Sequence, residues 1–240
     1  ARETMKMMKM DRAELNNHYQ NLHYVLLRAT YAADHPTGKE PLERIELPDM
    51  SLDLTTGDDF ATGYQLVTQG KLSEAQAVLT RMEERIADTV VKTVEEGLHE
   101  DDLATSEDGY LMATIMTREL QALLWYRSGR IDEAIELMRS AAADESGRPL
   151  YYGPPHIPKP SSELLGEMLL AQGRPEEAVA EFEGTLLQNT SRSMALLGLA
   201  RAEAAAGNAK SSSETRALLV ASWKGDLDAF WNLPYTWLGD

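Results

Sequence analysis

The chain has 240 residues, 43% of them apolar, no cysteine, and 23 Lys and Arg against 39 Asp and Glu, a net charge of −16. The lack of cysteine excludes a disulfide framework, thiolate-bound zinc, iron–sulfur clusters and a thiol nucleophile, and the acidic balance opposes general nucleic-acid binding, whose affinity comes from Lys and Arg on phosphates. The uncharged apolar runs fall well short of the roughly 18 residues a membrane span needs, so a soluble chain with no membrane insertion is expected, and the absence of cysteine suits cytoplasm and periplasm alike.

Ala, Leu, Glu, Arg, Met and Gln dominate, Phe occurs only 3 times and β-branched runs are rare, which favours helices throughout. Residues 1–55 form the first region. Leu15, Leu22, Val25, Leu26 and Ala29 stand at helical spacing within 3–33, as one or two helices that read as a degenerate repeat. Met5, Met7, Met8 and Met10, with Lys6 and Lys9, add a pliable surface suited to packing on a preceding domain. From His35 to Asp58, Pro36, Pro41 and Pro48 with Gly38 and Gly57 predict a loop.

A spaced pattern then recurs four times between 56 and 222. A Gly is followed five residues later by a small residue and nine residues later by a larger one: Gly70–Ala75–Leu79, Gly129–Ala134–Met138, Gly173–Ala178–Phe182 and Gly207–Ser212–Arg216. Seven residues before each Gly stands another small residue: Gly63, Ala122, Gly166 and Ala200. The marker glycines lie 59, 44 and 34 residues apart, so a period of 34 leaves insertions of 25 and 10 residues at the first two junctions. Small residues let two antiparallel helices approach while the Gly makes the turn between them. The repeats are expected at 56–98, 107–145, 159–190 and 193–222. Ser73 with Gln76 reads as a capping box opening a helix that runs to about Leu98, and Pro175 with Glu176 and Glu177 reads as a helix first turn. The acids Glu95, Glu96, Glu100, Asp101, Asp102, Glu107 and Asp108, with no intervening Lys or Arg, read as a solvated turn. Ser211–Ser213 reads as a cap for the last helix.

Trp125-Tyr126-Arg127-Ser128-Gly129-Arg130-Ile131-Asp132-Glu133-Ala134 and Leu165-Gly166-Glu167 through Gly173-Arg174-Pro175-Glu176-Glu177-Ala178 resemble the tetratricopeptide repeat family. The likeness is closest over 115–206 and weakest in the fourth repeat, where Ser212 and Arg216 replace the usual Ala and aromatic. It implies an all-α, TPR-like α-solenoid of about four helical hairpins, with extra N-terminal helices and a C-terminal cap, and it makes the chain look like the C-terminal part of a longer bacterial protein of that family. Residues 147–160 hold five of the ten prolines and the Tyr151–Tyr152 pair. This stiff, extended segment resembles a Gly-Pro-Pro…Lys-Pro element of other bacterial TPR proteins, as a brace or as the edge of a binding groove.

The same resemblance implies a concave surface lined by the first helix of each hairpin, and so a non-catalytic scaffold for a protein or peptide. Four positions in each first helix face that groove: Phe60, Tyr64, Val67 and Thr68, then Glu119, Leu123, Tyr126 and Arg127, then Glu163, Glu167, Leu170 and Ala171, then Leu197, Arg201, Ala204 and Ala205. Of these Tyr64, Glu119, Tyr126, Arg127, Glu163, Glu167 and Arg201, with Tyr151, Tyr152 and Lys159 of the insertion, are the expected partner-binding residues. None of the sixteen groove positions is Lys or Asn, the residues with which chaperone-binding members clamp a peptide carboxylate, so that role is disfavoured. Two alternatives stand beside the scaffold: a small-molecule or enzyme-associated module with a pocket under 147–160, and self-assembly, a homo-oligomer formed through the Trp-rich end. Trp223, Phe230, Trp231, Tyr235 and Trp237 read as an aromatic cap over 223–240 that covers the open face of the last hairpin.

Catalytic signatures are missing from the sequence. His18 and His23 are five apart and point about 140° apart on a helix, and no nucleophile elbow, phosphate loop or His-Glu-x-x-His occurs. No catalytic residue, metal site or cofactor is expected. Glu163 and Glu167, four apart, read as solvated or ligand-facing acids.

Overall fold

A computed structural model describes residues 24, 27–31, 51–95, 104–148, 157–222 and 231–232. Among these the chain is all-α: α1 (Leu52–Thr68), α2 (Leu72–Glu95), α3 (Ala104–Arg127), α4 (Ile131–Ser146), α5 (Ser161–Ala171), α6 (Pro175–Gln188), α7 (Ser193–Ala205) and α8 (Ala209–Ser222). It divides into two compact units, Ala1–Leu124 with Tyr151–Pro158, and Trp125–Leu150 with Lys159–Asp240.

The four marker glycines all adopt left-handed backbone, with φ of 73°, 86°, 69° and 82° at Gly70, Gly129, Gly173 and Gly207, a region that costs L-residues with a Cβ energy. Each turn closes with the same two bonds. The glycine N–H donates to the carbonyl three residues back (Val67, Tyr126, Leu170, Ala204), and the next N–H donates to the carbonyl five back (Leu66, Trp125, Leu169, Glu203), which is the Schellman helix ending. The residue after the glycine then starts the following helix: the carbonyls of Lys71, Arg130, Arg174 and Asn208 accept from Ala75, Ala134, Ala178 and Ser212. One residue thus ends one helix and opens the next, which is why the small residue always falls five positions after the glycine.

In the first unit α1 and α2 form a hairpin whose core holds Phe60, Tyr64, Leu79 and Met82, joined by Ile115, Met116 and Leu120 of α3. A Cβ placed on Gly63 would lie 2.5 Å from Leu120, so this glycine is small for the sake of the following hairpin rather than for its own partner helix. Residues 27–31 are helical, with Ala29 packed on Ala61.

In the second unit α4, α5, α6, α7 and α8 pack successively, with α5 also touching α7, the stacking of an α-solenoid. The ring of Phe182 lies between Gly166 of its own hairpin, 3.0 Å from a hypothetical Cβ, and Gly198 of the next, where a Cβ would be closer still. In α6 only Ala178, Phe182 and Thr185 are buried, an apolar stripe at helical spacing. In α5, by contrast, Ser161 and every residue from Glu163 through Leu169 are buried, because the first helix of each hairpin has neighbours on several sides.

Several local expectations need correction. Helix α1 begins at Leu52, so Gly57 and Asp58 are helical, and the rest of the expected loop, 35–50, lies outside the described residues. Helix α2 begins at Leu72, with Lys71 at its cap position; Ser73 therefore lies inside the first turn. Helices α2 and α3 each run 24 residues, and α3 already contains Glu107 and Asp108, so the large first insertion is partly taken up as longer helices. Pro175 is the first residue of α6. Ser212 caps nothing: its hydroxyl donates to the Ala200 carbonyl at 2.7 Å, tying the two helices of the fourth hairpin at the position where the other hairpins carry Ala.

Candidate functional site

The expected groove residues divide sharply by burial. Tyr64, Glu119, Tyr126, Lys159, Glu163 and Glu167 are all buried, while Arg127 and Arg201 are half-exposed and Tyr151 and Tyr152 lie outside the described residues. Glu163 and Glu167 are therefore not solvated acids on an open surface. They lie in the interior because fixed cations meet them there.

Lys159, at the end of the Pro-rich segment, projects onto α5, and its Nζ donates to Glu163 Oε1 at 3.0 Å and to Glu167 Oε1 at 2.8 Å. From the start of α7 Arg192 adds a fork: its Nε donates to Glu163 Oε2 at 2.6 Å and its Nη2 to Glu163 Oε1 at 3.0 Å. Two cations and two anions thus join three segments with no net charge. Burial alone pushes the Glu163 carboxyl up, but the charges of Arg192 and Lys159 and their hydrogen bonds outweigh it and hold the group at about 2, against an ordinary 4.5. Glu163 and Glu167, four apart, share one face of α5, and Lys159 reaches both from just before the helix start. Arg192 carries no such signal, since it is 29 residues from Glu163 in the turn before α7.

The first unit has a comparable arrangement that sequence reasoning missed. Asp59, fully buried in α1, accepts from Nη2 of Arg81 at 2.6 Å and from Arg85, two α2 residues whose i,i+4 spacing was the available clue. Burial raises the Asp59 pKa and the two guanidinium groups more than reverse it, leaving it lowered. Arg28 pairs with Asp58 and reaches Thr62 Oγ1 at 3.1 Å, which anchors the helical segment 27–31 on α1. Tyr64 packs beside Phe60, ring centroids 6.0 Å apart.

The second helices carry another set of charges. Arg139 of α4 pairs with Glu177 of α6 at 2.6 Å, and Glu177 also accepts from Arg174, an exposed strip of the kind worth little to stability. Glu145 of α4 accepts the Ser161 N–H at 2.6 Å and so caps α5 from a neighbouring helix. Burial raises its pKa despite that bond. Beside it lies a pocket of about 50 Å³ lined by Glu145, Pro160, Ser162, Thr185 and Gln188 among others. That is room for a few water molecules, far below the few hundred Å³ of a small-molecule site, and neither Lys159 nor Glu163 lines it.

Around the ends of the first helices the surface is open. Ala171, Ala204 and Ala205 are exposed, and Gln172 at the end of α5 donates to the Tyr126 hydroxyl at 2.5 Å. Arg201 donates to the Trp231 carbonyl. The Trp231 ring packs against the cluster of Leu196, Leu197 and Leu219, with the Arg216 guanidinium 4.4 Å from its centroid. Trp223, Phe230, Tyr235 and Trp237 lie outside the described residues.

Compared with known proteins, residues 162–183 match the tetratricopeptide repeat family model. The match covers α5, the turn at Gly173 and the first part of α6, and the fold is that of such helical hairpins. Repeats of this family mediate protein–protein interaction and scaffolding and are typically non-catalytic. No curated protein and no solved structure matches the chain, and no helix among the described residues is long and apolar enough to cross a membrane.

Proposed function

We propose that the chain is a non-catalytic scaffold that binds a protein through an extended peptide segment laid across the C-terminal ends of the first helices in the second unit. The observation that carries this reading is the division within the groove positions themselves. The upper positions (Glu163, Glu167, Leu197) are closed, whereas the positions beside the turns (Ala171, Ala204, Ala205) are exposed. Exposed Ala lets a peptide backbone come close, and Arg127 and Arg201, the latter already donating to the Trp231 carbonyl, flank the surface. In this reading Tyr126, Lys159, Glu163 and Glu167 serve from beneath, by fixing α5 against its neighbours, while Tyr64, packed beside Phe60, and Glu119 lie inside the first unit. Tyr151 and Tyr152 belong to the segment that leads into Lys159.

The reading is tested by replacing Ala171 or Ala204 singly with a photo-crosslinking amino acid in cells, with Glu176 or Glu183 on α6 as controls. Discrete crosslinked partners are expected from the two alanine positions. Equal products from the α6 positions, or none from Ala171 and Ala204, would remove the surface as a binding site.

A further inference from the structure

Besides Ser212, the fourth hairpin departs from the others at a second position. Nine residues after the marker glycine stand Leu79, Met138 and Phe182, all fully buried, and at the junction after the third hairpin Phe182 is pressed against Gly198 of the next first helix. The fourth hairpin has Arg216 there instead, exposed, and what meets it is the ring of Trp231. Trp231 therefore stands where a following hairpin would begin.

Three kinds of contact hold it. Leu196, Leu197 and Leu219 make an apolar floor, Arg216 lies over the ring face, and Arg201 donates to the main-chain carbonyl of the same residue. A floor, a cation over the ring and a donor to the peptide oxygen can together hold an aromatic residue and the main chain that carries it. Arg201 is also one of the two arginines that flank the proposed peptide surface.

We propose that the end of the α7–α8 hairpin is a binding site for a tryptophan-bearing peptide segment, with the chain's own Trp231 as its resident occupant. A partner's aromatic side chain reaches Arg201 and Arg216 only by displacing Trp231. This rests on the peptide-binding reading above and names the chemistry of the partner. A tethered occupant competes at an effective concentration on the order of 1 mM. For a segment of about 10 μM intrinsic Kd, such competition weakens binding of the same segment in trans by about 100-fold.

The test uses the full chain and a fluorescein-labelled peptide of residues 225–238, read by fluorescence anisotropy. The Trp231→Ala chain is expected to bind the probe at least about 10-fold more tightly than wild type, with Trp231→Phe in between. Adding Arg201→Ala or Arg216→Ala to Trp231→Ala should remove most of that gain, and a probe carrying Ala in place of its Trp231 should not bind. The Phe variant keeps the floor covered and answers the question even if the Ala variant unfolds. Equal affinity of wild type and Trp231→Phe for the probe overturns the proposal, as does binding indifferent to Arg201 and Arg216. An adverse result with Ala171 crosslinks retained sinks the resident-occupant site alone and leaves the peptide surface standing.

Discussion

Changing Glu163 to Gln keeps the shape of the side chain and removes one charge from a buried set of four. Lys159 and Arg192 would then face only Glu167, and the interior would hold one uncompensated positive charge. The carboxyl is held at about 2 against an ordinary 4.5, and at about 1.4 kcal/mol per unit this places the stabilisation of the ionised form near 3 kcal/mol. Breaking buried pairs by removing one partner costs about 3–5 kcal/mol in general, so two separate routes agree on the scale. Because the folded pKa is depressed, the contribution is fully present above pH 4.5 and is lost as the pH falls through 2. Urea unfolding followed by circular dichroism should show E163Q about 3 kcal/mol less stable than wild type at pH 7, with the difference shrinking steadily below pH 4.5. Adding Lys159→Met to E163Q restores neutrality and should recover part of the loss. A difference below about 1 kcal/mol at pH 7, or one that does not change between neutral and acid pH, would refute the network as a stabilising element.

Glu145 should behave in the opposite sense. Burial raises its pKa, so its ionisation costs stability as the pH rises above the ordinary carboxyl range; E145Q keeps an acceptor for the Ser161 N–H and should be neutral or stabilising at pH 7, while E145A should lose about 1 kcal/mol, both read from urea midpoints. Gly198→Ala should cost about 1–3 kcal/mol by overpacking, since the Phe182 ring is already held from its other side by Gly166, and Phe182→Leu in the same chain should relieve part of it. Gly173→Ala meets no atom within 4 Å, so only its φ of 69° is penalised; thermal melts should show a loss of about 1–2 kcal/mol, and Asn at the same position should be better tolerated than Ala.

The hairpin turns were legible in the sequence because each is a local device: a glycine in left-handed backbone, with helix ending and helix start fixed by neighbours within six residues. The groove was less legible because burial is not local. Glu163 and Glu167 occupy positions that face outward in an isolated hairpin. Whether they meet water depends on Lys159 arriving from the Pro-rich segment and Arg192 from the next turn, and no periodicity announces Arg192. Ser73 and Ser212 show a smaller version of the same limit, since each has the composition of a cap, yet the turn geometry shifts the cap to Lys71 in one case and gives the hydroxyl a partner on the facing helix in the other. The buried Asp59 could have been inferred only by noticing that Arg81 and Arg85 share a face of α2.

The residue that follows each marker glycine closes one helix and begins another, so each hairpin has no spare length at its tip. Added sequence at that point would separate the two bonding patterns and turn the second helix away from the first. The two insertions relative to the 34-residue period both fall between hairpins instead. For engineering, this sorts the chain into places that accept new material and places that do not. A fluorophore, an affinity tag or a grafted recognition loop belongs between successive hairpins, and the four glycine turns should be kept at their present length.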